Sequence, residues 1–208
     1  MTPNGVAKVG DFGFVTDKLQ FGFATPYGTP IYWAPEVYDN RTCSALSDVY
    51  SLGATFLNLV CGDNWFHRVG LGQIVINDQH GIPSLSPKRL FLPHIPKSWR
   101  TVINKLINSN ITLRCSSMSS AVNLISKLPN VEPWQCLIND DVIEWCLHKG
   151  NRRVVVFWEN YLRAGGVWTA WSEDINENSK RTLAKNDVSS SPTDNYRSLQ
   201  DFFSGRKV

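Results

Sequence analysis

Apolar residues recur along this chain with two different periods, and the change of period divides it. Leu46, Val49, Leu52, Phe56, Leu57 and Val60 punctuate residues 45–61. A helix that is apolar on most sides belongs in a core. Further on, Trp99, Val102, Ile103, Leu106 and Ile107 stand at i, i+3, i+4, i+7 and i+8, which is one face of a helix, with Ser98 as a candidate N-cap. Met118, Ala121, Val122, Leu124, Ile125 and Leu128 predict another helix over 116–128. From about 131 the period drops to two. Ile143, Trp145 and Leu147 alternate onto one face of a strand, Lys149-Gly150-Asn151 follows, and a second apolar run covers 152–158. Gly-Asn between two such runs is a hairpin signal. Gly165-Gly166 precedes a third run, 167–171. Three antiparallel strands are about the least that form a self-standing sheet.

The ends read differently. Val6 to Val9 is a strand candidate, whereas Gly22, Pro26, Gly28, Pro30 and Pro35 make residues 14–36 mostly loop. Residues 173–208 are polar, with Ser189-Ser190-Ser191-Pro192 and few large apolar groups before Phe202-Phe203, and are expected to be a disordered tail. The expected fold is therefore mainly α over 1–128, followed by a small antiparallel β-sheet module over 131–172 and the tail over 173–208.

Composition changes this picture little. The chain has 208 residues, 42% hydrophobic and 19% charged, enough for a real core. A net charge of +3 with dispersed Lys and Arg points to neither nucleic acid nor an anionic membrane as partner. Cys43, Cys61, Cys115, Cys136 and Cys146 are odd in number, scattered and never in a Cys-x-x-Cys pair. That argues against a disulfide framework or a zinc site as the organising device and suits a reducing compartment. No stretch approaches the roughly 18 apolar residues of a membrane span, and residues 1–15 lack the plan of a signal peptide, so a cytoplasmic location is expected. Trp134, Trp145, Trp158, Trp168 and Trp171 are expected to form the core of the small sheet.

The chemistry lies in four short runs: Asp11-Phe12-Gly13, then Gly28-Thr29-Pro30-Ile31-Tyr32-Trp33, then Ala34-Pro35-Glu36, then Asp48-Val49-Tyr50-Ser51-Leu52-Gly53. Their order and spacing resemble the second half of a protein kinase domain, from the magnesium-binding Asp-Phe-Gly onward, over residues 6 to about 128. Residues 28–36 look like the serine/threonine-type substrate loop. The resemblance implies an α+β kinase large lobe and gives each residue a role. Asp11 would hold magnesium against the ATP phosphates, a task suited to a carboxylate because hard divalent cations prefer oxygen ligands. Phe12 would pack to set active and inactive states, beside Gly13. Thr25 stands where many kinases carry an activating phosphate, which adds about −1.5 to −2 charge and orders a loop. Thr29 would bond the catalytic aspartate and its neighbouring lysine. Glu36 would pair with Arg114, whose planar guanidinium grips a carboxylate with two bonds. Asp48 would tether the catalytic-loop backbone from the start of the central helix.

The chain also departs from the family. The Gly-rich loop, the ATP-orienting lysine, the helix glutamate and the His-Arg-Asp loop are absent, because only ten residues precede Asp11. No catalytic set is complete. The resemblance thus implies a partial serine/threonine kinase whose parent reaction moves the ATP gamma-phosphoryl group to a protein hydroxyl. ATP and magnesium would serve the complete parent kinase, while tight binding of either by this chain alone is not expected. The chain by itself is expected to be inactive, with the first lobe supplied by sequence not shown, in cis or in trans. The expected partners are that lobe and a protein substrate. A noncatalytic kinase-derived interaction protein and a protein-binding β module are the alternative readings.

Overall fold

A computed structural model of the chain describes residues 24–25, 27–70, 74–77, 82–85, 91–161, 166–176, 179–186 and 191–205. The strand expected at Val6–Val9 and the residues Asp11, Phe12 and Gly13 lie outside the described residues.

A single turn of 3-10 helix, Pro30–Tyr32, leads into α1, Pro35–Asn40. Proline at the first helical position suits both, since its missing N–H has no partner there in any case. The central helix α2, Ala45–Cys61, starts at a reciprocal cap: the Ser44 backbone N–H donates to Ser47 Oγ at 2.8 Å, and the Ser47 N–H to Ser44 Oγ at 3.3 Å. Its buried face carries Val49, Tyr50, Ala54 and Leu57. Gly53 is what lets α4, Lys97–Leu106, approach it. A Cβ at Gly53 would stand 2.5 Å from Leu106 Cβ and 2.7 Å from Ile107 Cγ2. α4 begins one residue before Ser98: Pro96 (φ −62, ψ 151) occupies the cap position without a side-chain bond, and Ser98 lies within the first turn. Between them run α3, Asp63–Gly70, and an antiparallel pair, β1, Ile74–Asn77, with β2, Ile82–Leu85. α5, Met118–Ser126, is capped by Ser117, whose Oγ accepts from the Ser120 N–H.

The rest is a five-stranded antiparallel meander in the order β3, Gln135–Ile138; β4, Val142–Lys149; β5, Arg152–Glu159; β6, Val167–Asp174; β7, Lys180–Lys185. Gly150, at φ +60, takes the first position of the β4–β5 loop, where a two-residue hairpin loop demands a glycine-type conformation. Ile143, Trp145, Leu147, Val156, Trp158, Trp168 and Ala170 are buried along the sheet. α6, Pro192–Phe203, lies on that core with Leu199 fully buried.

Two expectations are overturned here. The fold is not mainly α, because a five-stranded antiparallel sheet forms a large part of it beside the helices. The polar stretch after 173 is not a disordered tail. It completes β6, adds β7 at the sheet edge and folds into α6. Composition misled for two separate reasons. β7, Lys-Arg-Thr-Leu-Ala-Lys, is held by backbone pairing to β6 and buries little side chain; charge suits an exposed edge. The apolar side chains that α6 presents to the core are Tyr196, Leu199, Phe202 and Phe203, a stripe at helical spacing that bulk polarity conceals. One hydrophobic cluster runs from Ile31 through Tyr50 and Phe91 to Trp145, Trp168 and Leu199.

Candidate functional site

The loop ahead of α1 is held against α2 at several points. Ala24 and Cys43 exchange backbone hydrogen bonds at 2.9 and 2.6 Å, which closes the segment into a loop. Gly28 sits at φ +96, a conformation that a side chain rarely adopts. The Trp33 indole donates to the Tyr27 carbonyl at 3.2 Å, and the Tyr38 hydroxyl donates to the Pro30 carbonyl. Tyr32 is fixed from both ends. Ser51 Oγ donates to its carbonyl at 2.9 Å, Asn58 Nδ2 donates to its hydroxyl at 2.8 Å, and its ring stacks on Phe66 with centroids 5.7 Å apart. Ala34, Pro35 and Val37 are buried, so the start of α1 is seated in the core.

Glu36 leaves that seat toward Arg114. Arg114 Nη1 donates to Glu36 Oε1 at 2.6 Å and Nη2 to Oε2 at 2.9 Å, a two-bond fork. The guanidinium also donates from Nε to the Asn108 carbonyl and from Nη1 to the Leu46 carbonyl, both at 2.9 Å, and lies 5.2 Å from the Tyr50 ring centroid. The Arg114 side chain is fully buried, and that of Glu36 is 18% exposed. The structure therefore brings Glu36 and Arg114 together and ties both to the first turn of α2.

The other candidates sit apart from this pair. Thr25 and Thr29 are exposed, and Thr29 precedes the 3-10 turn without a side-chain cap bond. Asp48 stands in the first turn of α2, exposed, with no hydrogen bond to its carboxylate among the described residues. Surrounding protein displaces enough water to push its pKa above the usual carboxylate range. Burial, and then the Asp48 charge, push the Cys43 thiol up, so Cys43 is held as a protonated thiol. Among the described residues no three His, Cys, Asp or Glu side chains stand together as metal ligands. Asp11, the expected magnesium ligand, lies outside them.

A family model for the protein kinase domain matches residues 1–125. This chain belongs to the protein kinase family. Its resemblance to individual kinases is distant. It is 29% identical to mouse serine/threonine-protein kinase Nek11 over 118 residues, covering 55% of this chain and 18% of that protein. It is 30% identical to serine/threonine-protein kinase pakE of Dictyostelium discoideum over 129 residues, 61% of this chain and 13% of that protein. MAP3K epsilon protein kinase 2 of Arabidopsis thaliana shares 36% over 93 residues, 41% of this chain and 7% of that protein. The chain thus spans less than a fifth of these kinases. No solved structure matches it.

In this kinase-family chain several site contacts have no counterpart in the motif reading. The Leu46 and Asn108 carbonyls and the Tyr50 ring all serve Arg114, while Ser51 and Asn58 serve Tyr32. Backbone acceptors carry no sequence signal. Ser51 and Asn58 do: they are polar residues seven apart, hence on one face of a helix that is apolar on most sides. No helix among the described residues is long and apolar enough to cross a membrane.

Proposed function

We propose that residues 1–128 are the second half of a serine/threonine protein kinase domain, with Asp11 as a magnesium ligand and the loop around Thr29 as its substrate-facing element. The parent reaction is transfer of the ATP gamma-phosphoryl group to a protein Ser or Thr hydroxyl. The observation that carries this reading is the buried Glu36–Arg114 fork. It ties Glu36, and with it the start of α1 that follows the Gly-Thr-Pro loop, to the central helix, which supports a substrate-facing role for that loop. Catalysis of this kind is positioning and charge stabilisation, so a rigid loop is a functional asset. The serine/threonine character rests on the loop sequence and on the similarity to serine/threonine kinases.

The 208 residues contain no His-Arg-Asp and no Gly-rich phosphate loop followed by a lysine-bearing strand. The chain by itself then transfers no phosphate and binds ATP-magnesium weakly. Thr25, exposed in the same loop, is a candidate phosphosite. Five free cysteines fit a cytoplasmic protein. The partners of this reading are the N-lobe, in cis or in trans, and a protein substrate.

The test is complementation. The purified chain, incubated with radiolabelled ATP, magnesium and a serine/threonine peptide library, gives no labelled peptide. Joined to the first half of a related serine/threonine kinase, it gives labelling that Asp11→Ala and Thr29→Ala each reduce by at least about tenfold, the size of effect expected when a metal ligand or a positioning contact is lost. Labelling that is indifferent to both changes would refute the assignment. The reading of a kinase-derived interaction protein is favoured by one feature, the burial of the five-stranded sheet against the helical part through α6. It predicts a partner whose binding is indifferent to Asp11→Ala.

A further inference from the structure

Where the helical part meets the sheet lies an open cleft of about 440 Å³, walled by the rings of Trp99, Trp134 and Phe203, with His94 in its lining and Glu132 at its rim. A volume of this order suits a bound ligand. Trp134 and Phe203 meet edge to face, with centroids 5.0 Å apart and planes at 89°. Two of the cleft's walls are therefore perpendicular ring surfaces.

Two ring N–H groups among the lining residues, those of His94 and Trp134, are without a partner among the described residues. An indole N–H can only donate, and that of Trp145 points at His94 Nδ1, 2.9 Å away. His94 Nδ1 must then be bare, so the neutral ring carries its proton on Nε2. That N–H has no partner among the described residues, and it is not a buried orphan. The Trp134 indole N–H is in the same position, unpartnered among the described residues and not buried. The Trp99 indole, by contrast, is already bonded to the Pro129 carbonyl at 3.1 Å. The residues that line the cleft thus supply flat apolar walls and two spare donors. Its carboxylate, Glu132, is held by Lys149 at 2.9 Å in an exposed pair, which is weak and readily exchanged for another cation.

We propose that this cleft binds a proline-containing peptide segment in the extended polyproline conformation, flanked by a basic residue. Such a segment has few backbone N–H groups and a row of outward carbonyls, so it needs donors and little else. Its pyrrolidine rings lie flat on aromatic walls, and its preformed conformation lowers the entropy cost of binding. Here the His94 and Trp134 N–H groups receive ligand carbonyls, the three rings receive prolines, and Glu132 receives the basic residue. This site is independent of the phosphotransfer reading, since it shares no residue with the loop around Thr29.

The experiment is a titration of the full chain, labelled with nitrogen-15, with the synthetic peptide Arg-Pro-Leu-Pro-Pro-Leu-Pro and with its counterpart in which every Pro is Ala. The expected result is a saturable shift of the Trp99 and Trp134 indole resonances with the proline peptide alone. Trp134→Phe keeps the wall and removes the donor. It should weaken binding about tenfold, read on Trp99, as loss of one good hydrogen bond does. Glu132→Arg should weaken it further while leaving the dispersion of the spectrum, and hence the fold, unchanged. Absence of a saturable shift, equal binding of the alanine peptide, or full affinity in Trp134→Phe would each overturn the proposal. So would a saturable response of the same resonances to tetramethylammonium chloride, which would make the rings a cation cage.

Discussion

The guanidinium of Arg114 makes four hydrogen bonds, all with groups of the protein. Removing one half of a buried ion pair strands the other charge and costs on the order of 3–5 kcal/mol. Arg114→Ala should therefore lower unfolding free energy by about that much, measured by urea denaturation. Arg114→Lys should recover only part, because an ammonium cannot make the fork. A loss below about 1 kcal/mol for Arg114→Ala would mean the pair is effectively solvated. His94 gives a second residue-scale prediction. Burial pulls its pKa down from 6.5 to about 4. Between those values the unfolded chain binds the proton and the folded chain does not, so stability must fall as pH drops from about 6.5 toward 4. The full effect is about 3 kcal/mol. Protonation would also put a hydrogen on Nδ1, facing the Trp145 N–H. Denaturation midpoints followed across that window should slope less steeply in His94→Phe, and equal slopes would show that other groups carry the acid dependence.

Among the elements, α6 has the largest consequence for its length. It brings Leu199 into the core, bonds the Trp168 indole through Ser198 at 2.9 Å and reaches the Phe91 carbonyl through the Tyr196 hydroxyl at 2.8 Å. The fully buried Asn195 donates to the Gly166 carbonyl at 2.7 Å, and it also accepts from Asn186. Leu199→Ala should cost about 2–5 kcal/mol as a buried large-to-small change. Amide exchange in β6 should then accelerate before exchange in α2. Unchanged protection of β6 would show that α6 is not what holds the sheet. α6 was illegible because its stripe is narrow and its polar anchors, Asn195 and Ser198, look like loop residues until their partners are known. The helices of the first part were easier. Apolar residues at i, i+3, i+4 and i+7 leave little choice but an amphipathic or buried helix; α2 and α5 fall within the predicted spans, and α4 starts one residue ahead of its expected cap, Ser98. The hairpin at Gly150-Asn151 was equally plain, since few residues besides glycine tolerate its turn. What composition could not show at this scale was strand β7, whose stability lies in backbone pairing.

At the scale of the whole molecule, the kinase-family region and the sheet share one hydrophobic cluster. Ile31, Tyr50 and Phe91 on one side and Trp145, Trp168 and Leu199 on the other are members of it. Unfolding should accordingly be a single cooperative transition, with far-ultraviolet dichroism and tryptophan fluorescence coinciding along a urea series. Separated midpoints would show that the sheet is an independent unit. The same continuity bears on function. A partner gripping the cleft between Trp99 and Trp134 would touch both regions at once, and it would be felt at the start of α4, which packs on the helix bearing Ser51 and Asn58.

By itself the sequence determined the period of each main helix, the central hairpin and the kinase-family motifs from Asp11 to Asp48, because these depend on neighbours a few positions away or on a contiguous pattern. Only the tertiary structure decided which carbonyls Arg114 takes, that a polar C-terminal stretch becomes a strand and a core helix, and that three aromatic rings from separate segments enclose a cleft. Those outcomes depend on groups as far as 105 positions apart meeting in space, as Phe91 and Tyr196 do. Such meetings are set by the packing of the whole chain and leave no periodic trace along it.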